Sequence, residues 1–147
     1  MKKIIIPPVF VLVFLILIVI SYFLIPEYNL LPFPFNLLGV IISFLGFVIM
    51  GKARDLFKKN QTTLDIEKST FLIDEGVFSK TRNPMYIGMF LLLLGIGICF
   101  MNIISILLPF LFIISIHFVF VLKEEKLMTE VFGQEYIHYK EKVKRWI

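Results

Sequence analysis

The 15 Lys and Arg residues of this 147-residue chain fall into three blocks, and the stretches between the blocks are long and apolar. Two basic residues precede the first apolar run, seven lie between Lys52 and Arg82, and six follow from Lys123 onward. A bilayer core takes about 20 apolar residues as a helix. Residues 4–25, 37–55, 84–101 and 103–122 therefore read as four membrane spans, with Lys52 and Arg54 snorkelling from the end of the second. The hydrophobic share of 59% and mean hydropathy of +0.90 follow from these runs. The connections at 26–36 and around Asn102 carry no basic residue. The positive-inside rule then puts both termini and the central loop in the cytoplasm. The expected fold is all-α: a multi-pass cell-membrane protein with four transmembrane helices, a cytoplasmic loop and a C-terminal amphipathic helix. Residues 1–147 form a single domain, with 123–147 as a cytoplasmic tail.

The first run follows Lys2 and Lys3 as a signal peptide would, but it is longer than such a core and no small-residue cleavage site follows. It reads as a membrane helix, with Pro7 and Pro8 in its first turns, where proline is tolerated. Gly39, Ser43, Gly46 and Met50 repeat at spacings of four, three and four, a small-residue stripe suited to close helix contact in lipid. The third and fourth spans are separated only around Asn102 and form a tight antiparallel hairpin. Gly88, Gly95 and Gly97 lie in the third, and Pro109 is expected to bend the fourth. In the central loop, Ser69 to Ile73 has an extended character and Asp74-Glu75-Gly76 reads as a turn. The single Cys99 excludes an internal disulfide, and two His with no cysteine cluster leave no metal site.

The chemistry concentrates where the central loop meets the third span, at Arg82-Asn83-Pro84-Met85-Tyr86. Asn is a good N-cap and Pro suits the first helical position, so a helix starts here with Asn83 capping it. Its positive end, beside Arg82, is a place for a carboxylate or phosphate. Glu124 and Glu125 stand where the fourth span leaves the membrane, at the same face. Adjacent helical positions point about 100° apart, so one carboxylate can bind a cationic ligand while the other is structural or solvated. Phe132, Tyr136, Tyr139, Val143 and Trp146 make a helical stripe in the tail, either a helix lying on the membrane or a lid over the site. His117, inside the fourth span, is an intramembrane ionisable group and so a candidate for function.

Taken together, these pieces resemble the isoprenylcysteine carboxyl methyltransferase and phospholipid methyltransferase group of integral membrane enzymes. The resemblance rests on Thr62-Thr63-Leu64, on Gly76-Val77-Phe78, on Thr81-Arg82-Asn83-Pro84-Met85-Tyr86-Ile87-Gly88, on Glu124-Glu125 with Leu127, on Phe132-Gly133 with Tyr136 and Tyr139, and on Val143-Lys144-Arg145-Trp146. It covers the chain from about Gly39 to the C-terminus. It implies an enzyme that moves a methyl group from S-adenosylmethionine to a lipophilic small-molecule or lipid acceptor. By position, Phe71, Leu72, Ile73, Asn83, Pro84, Met85 and Tyr86 would line the cofactor site. Arg82 would hold the cofactor carboxylate, and Glu124 would pair with its ammonium. Arg82, Glu124 and Glu125 are the candidate catalytic residues, with Glu125 and His117 the nearby candidates for a base.

The chain departs from that pattern in three places. The usual histidine before the proline is Asn83, and the usual proline before the final arginine is Lys144. Prenylcysteine enzymes place an arginine one turn before the cofactor-binding glutamate, and Phe120 stands there. A prenylcysteine carboxylate is therefore a poor expectation for the acceptor. Membrane lipids are the expected surroundings, and no nucleic-acid partner is expected. The alternative is a non-enzymatic membrane protein or helper subunit that retains the fold.

Overall fold

A computed structural model describes residues 7–26, 33–62 and 66–147. Residues 4–6 of the first span, most of the 26–36 connection, and Thr63 and Leu64 lie outside the described residues. The ordered elements are α1 (Pro7–Leu24), α2 (Leu37–Lys59), α3 (Pro84–Phe100), α4 (Ile103–Ile116), α5 (Leu122–Phe132) and α6 (Gln134–Lys142). A π-helical turn, His117–Val121, joins α4 to α5 without interruption, and short 3₁₀ turns occupy Ile66–Lys68 and Gly76–Ser79. No strand occurs among the described residues. Among the described residues, three helices are long and apolar enough to cross a membrane: α1, α2 and the 30-residue run Ile103–Phe132. At about 1.5 Å per residue, that run is about 45 Å long and outreaches a bilayer core of about 30 Å. Its polar end, from Lys123 on, therefore projects beyond the hydrocarbon. Phe23, Leu24, Phe44 and Phe47 are well exposed on the outer faces, the build of a membrane protein.

The 17 residues of α3 are apolar on every side because α3 is the central element. On one side it packs on α1 and α4 through Phe14, Ile18, Tyr86, Met89, Leu93, Phe112, Ile116 and Val121. On the other it meets α2 through the predicted small-residue stripe. A Cβ added at Gly39 would overlap the Gly95 carbonyl oxygen, and one at Gly46 the Gly88 carbonyl oxygen. The Ser43 hydroxyl donates to the Leu92 carbonyl at 3.2 Å across this contact. Backbones this close gain dispersion contact where water supplies no driving force.

Polar side chains fix the far end of the bundle. The α3–α4 hairpin turns at Met101, which is left-handed (φ 51°), and Asn102 caps α4 by accepting from the Ile104 and Ser105 amides. Its Nδ2 also donates to the Ile25 carbonyl at 3.0 Å, fastening the end of α1. One turn deeper, the Ser21 and Ser105 hydroxyls lie 2.9 Å apart, each within reach of the Ile18 carbonyl. The helix runs through Pro109, which is fully buried.

The tail is not one helix. Gly133 adopts φ 54°, ψ −125°, a conformation that L side chains rarely take, and splits α5 from α6. Val143 is extended, so the last residues leave helical geometry altogether. The predicted stripe survives this break but packs on the central loop: Leu72 sits among Met128, Phe132, Tyr136, Tyr139 and Val143. The Tyr139 hydroxyl donates to the Phe78 carbonyl at 2.7 Å. Burial raises the pKa of both Tyr136 and Tyr139, so both phenols stay neutral.

Gly95→Val places a branched side chain against the Gly39 carbonyl and Ser43. It is expected to destabilise the bundle by about 3 kcal/mol. Thermal unfolding of the detergent-purified protein should show a clear drop in midpoint, whereas Gly51→Ala, with open space around it, should leave the midpoint within a degree or two.

Candidate functional site at the start of helix α3

The sequence places Pro84 at the first position of α3, and the Ile87 amide closes the first helical turn on the Asn83 carbonyl at 3.1 Å. Asn83 does not cap this helix with its side chain. Its Nδ2 instead donates to the Arg145 carbonyl at 3.0 Å. The Thr81 hydroxyl donates to the same carbonyl at 3.0 Å and accepts from the Asn83 amide at 3.2 Å. The Arg82 amide donates to the Lys144 carbonyl at 3.0 Å. Residues 81–83 thus bind the C-terminal segment through its backbone.

The side chains repeat this contact with charge. Glu125 receives a bidentate pair from Arg145, Nε to Oε1 at 2.9 Å and Nη2 to Oε2 at 2.7 Å. Arg82 Nη1 lies 3.1 Å from Glu125 Oε1. The side chains of Arg82 and Glu125 are about nine-tenths buried, at 9% and 10% exposed. Two guanidiniums therefore face one carboxylate. Arg82 Nε and Nη1 are buried, and neither has an acceptor in hydrogen-bond geometry. Arg145 is a member of this cluster that sequence reasoning did not single out. Its signal was present only as part of the terminal Val143-Lys144-Arg145-Trp146.

The two glutamates part as their 100° separation requires. Glu125 turns to the arginines, and both of its oxygens are taken. Glu124 turns to α3, where the Tyr86 hydroxyl donates to its Oε1 at 2.7 Å. Tyr86 is buried in the core one turn inside α3, and no cation is paired with Glu124 among the described residues. The other candidate residues differ in exposure. Pro84 is buried and Met85 partly so, while Leu72 and Ile73 are buried and Phe71 is 47% exposed. Phe120 packs toward α1, its ring edge-on to Phe10 at 5.6 Å. The His117 ring lies against Phe118 and Trp146. No group of His, Cys, Asp and Glu suited to a metal occurs among the described residues.

Removing the acid between the two arginines leaves both charges buried and uncompensated. Glu125→Gln is expected to cost about 3 kcal/mol of stability. It should also release residues 143–147 to limited proteolysis. Thr81→Val, which removes the neutral bonds to the Arg145 carbonyl and from the Asn83 amide, should cost about 2 kcal/mol. Unfolding midpoints and the rate of C-terminal trimming check both outcomes.

Residues 35–135 match the family model described as phospholipid methyltransferase. A relative from Schizosaccharomyces pombe, described as protein-S-isoprenylcysteine O-methyltransferase, is 28% identical over 128 residues, covering 78% of this chain and 54% of the relative. A Saccharomyces cerevisiae protein of the same description is 36% identical over 78 residues, 52% of this chain and 32% of the relative. The chain spans about half the length of the first and a third of the second. The matched segment contains α2, the central loop, α3, and the run that carries both glutamates. The chain belongs to the phospholipid methyltransferase family.

Proposed function

We propose that this chain is a membrane-embedded methyltransferase that takes a methyl group from S-adenosylmethionine and passes it to a lipophilic acceptor. The observation that carries this reading is the charge imbalance at the start of α3. Arg82 and Arg145 outnumber Glu125, and Glu124 stands beside them with only a phenol as partner. A zwitterionic amino-acid moiety complements that pattern. Its carboxylate would meet the Arg82 guanidinium, whose Nε has no acceptor, and its ammonium would meet Glu124. Asn83, Pro84, Met85, Tyr86 and the loop residues Phe71, Leu72 and Ile73 would surround the rest of the cofactor. S-adenosylmethionine supplies a methyl group on a sulfonium, which a nucleophile displaces in line.

The protein's task in such a displacement is positioning. Tyr86 holds Glu124 toward α3, and Glu125, through Arg145, holds the tail over the site. With both oxygens committed to guanidiniums, Glu125 is a positioning residue and not a base. In the membrane, the 17-residue α3, about 25 Å long, would with its flanking residues complete the set of four spans. The basic blocks then place both termini and the site at the cytoplasmic face of the cell membrane, where a soluble cofactor arrives from water and the acceptor from lipid. Residues 1–147 act as one domain.

Cofactor binding to the detergent-purified protein, measured by calorimetry, tests this. Native protein should bind S-adenosylmethionine. Glu124→Gln should weaken binding at least tenfold, and Tyr86→Phe about fivefold. Methyl transfer from labelled cofactor into a total lipid and small-thiol extract should yield one labelled lipophilic product. Absence of binding, or equal binding by Glu124→Gln, would overturn the reading.

A further inference from the structure

Between α3 and α4 lies a groove of about 440 Å³, open to the side on which the helices meet lipid. Ile87 and Phe90 of α3 form one wall, Ile113 and Ile114 of α4 the other, and Trp146 closes the end nearest the tail. Apolar lining is expected for any crevice on this face. His117 is not. It is the one ionisable side chain lining the groove. Its ring makes no hydrogen bond among the described residues, and its Nδ1 is buried without a partner. Buried polar groups are nearly always bonded, so an unpaired imidazole at this depth needs a partner or a reason. The backbone marks the same residue. His117 opens the π-helical turn, and single π turns inside α-helices concentrate at functional sites.

We infer that this groove binds a long-chain amphiphile with a neutral hydrogen-bonding head, the head meeting His117 and the chain running between α3 and α4. The head is neutral because no Lys or Arg lines the groove. An anion there would be buried without a counter-charge, which costs far more than a neutral hydroxyl or thiol. The occupant is an amphiphile because the lining offers apolar contact along its length and one polar group. This deepens the proposed function, on which it rests only for what the occupant is for: the groove would select the acceptor. His117 is then a specificity-determining residue.

The single tryptophan makes the groove directly readable. Trp146 lies in the groove, 6.0 Å from the His117 ring, so bromine on a bound chain should quench its fluorescence. The experiment titrates native protein in detergent, without S-adenosylmethionine, with 6-bromoundecanol and separately with 6-bromoundecanoic acid, which carry the bromine within a few bonds of the head, at a pH where the acid is ionised. Quenching by the alcohol should saturate and be reversed by unbrominated undecanol. The acid should bind about tenfold more weakly. His117→Phe, which keeps an aromatic ring but no hydrogen bond, should weaken the alcohol about fivefold, and His117→Gln should restore most of that loss. Quenching that rises without saturation would mean bulk partitioning of chains and would overturn the inference. So would equal affinity for alcohol and acid, or equal affinity in His117→Phe. Because no cofactor is present, failure here with cofactor binding intact rejects the groove alone. Saturable binding here without cofactor binding rejects the methyltransferase reading alone.

Discussion

The arrangement at the end of the bundle depends on one carboxylate held between two guanidiniums. Glu125 comes from the long helix, Arg82 from the approach to α3, and Arg145 from the C-terminal segment. Three parts of the chain distant in sequence are thus joined at one point. An ion pair this buried is not a large net gain over an apolar contact, because each charge is stripped of water. Its value is specificity. Arg145 can be held bidentate in few geometries, and the backbone bonds from Thr81, Arg82 and Asn83 to residues 144 and 145 fix the same segment from the other side. Once the tail is placed, Tyr136 and Tyr139 follow, and with them the buried Leu72 of the central loop.

The helical framework was legible because membrane solvation leaves so few options. Backbone groups in hydrocarbon must bond within the segment, so long apolar runs become helices. The contact of α2 with α3 was also legible, since Gly39, Ser43 and Gly46 have no other reason to share a face. The C-terminal amphipathic helix is present as α6, Gln134–Lys142, but is shorter than the stripe from Phe132 to Trp146 implied. Helical spacing from Phe132 to Trp146 holds as a pattern of burial, yet Gly133 resets the backbone, and Val143 is extended. Periodicity records which residues are covered, and a cover supplied by a loop produces the same spacing as a cover supplied by a membrane.

At the start of α3, the sequence misassigned one side chain. Asn83 before Pro84 has the signature of a cap, but the competing acceptor, the Arg145 carbonyl, lies 62 residues away and is invisible to local reasoning. Glu124 and Glu125 were correctly treated as pointing apart. Which one met the arginines depended on the rotation of the helix that carries them, and that rotation is not encoded in the two residues themselves.

The π-helical turn at His117–Val121 sets that rotation. A π turn accommodates an extra residue within an otherwise continuous α-helix, and each residue carries the helix round by about 100°. Above the turn, Phe112 and Ile116 face the core, and below it Glu124 faces Tyr86 and Glu125 faces the arginines. The length of this five-residue stretch therefore behaves as a phase setting between the half of the helix that lies among lipids and the half that carries the acids. Substitutions here alter one side chain at a time, whereas a gain or loss of one residue would turn every group beyond it. Among descendants of this sequence, the stretch should tolerate changes of letter far better than changes of count.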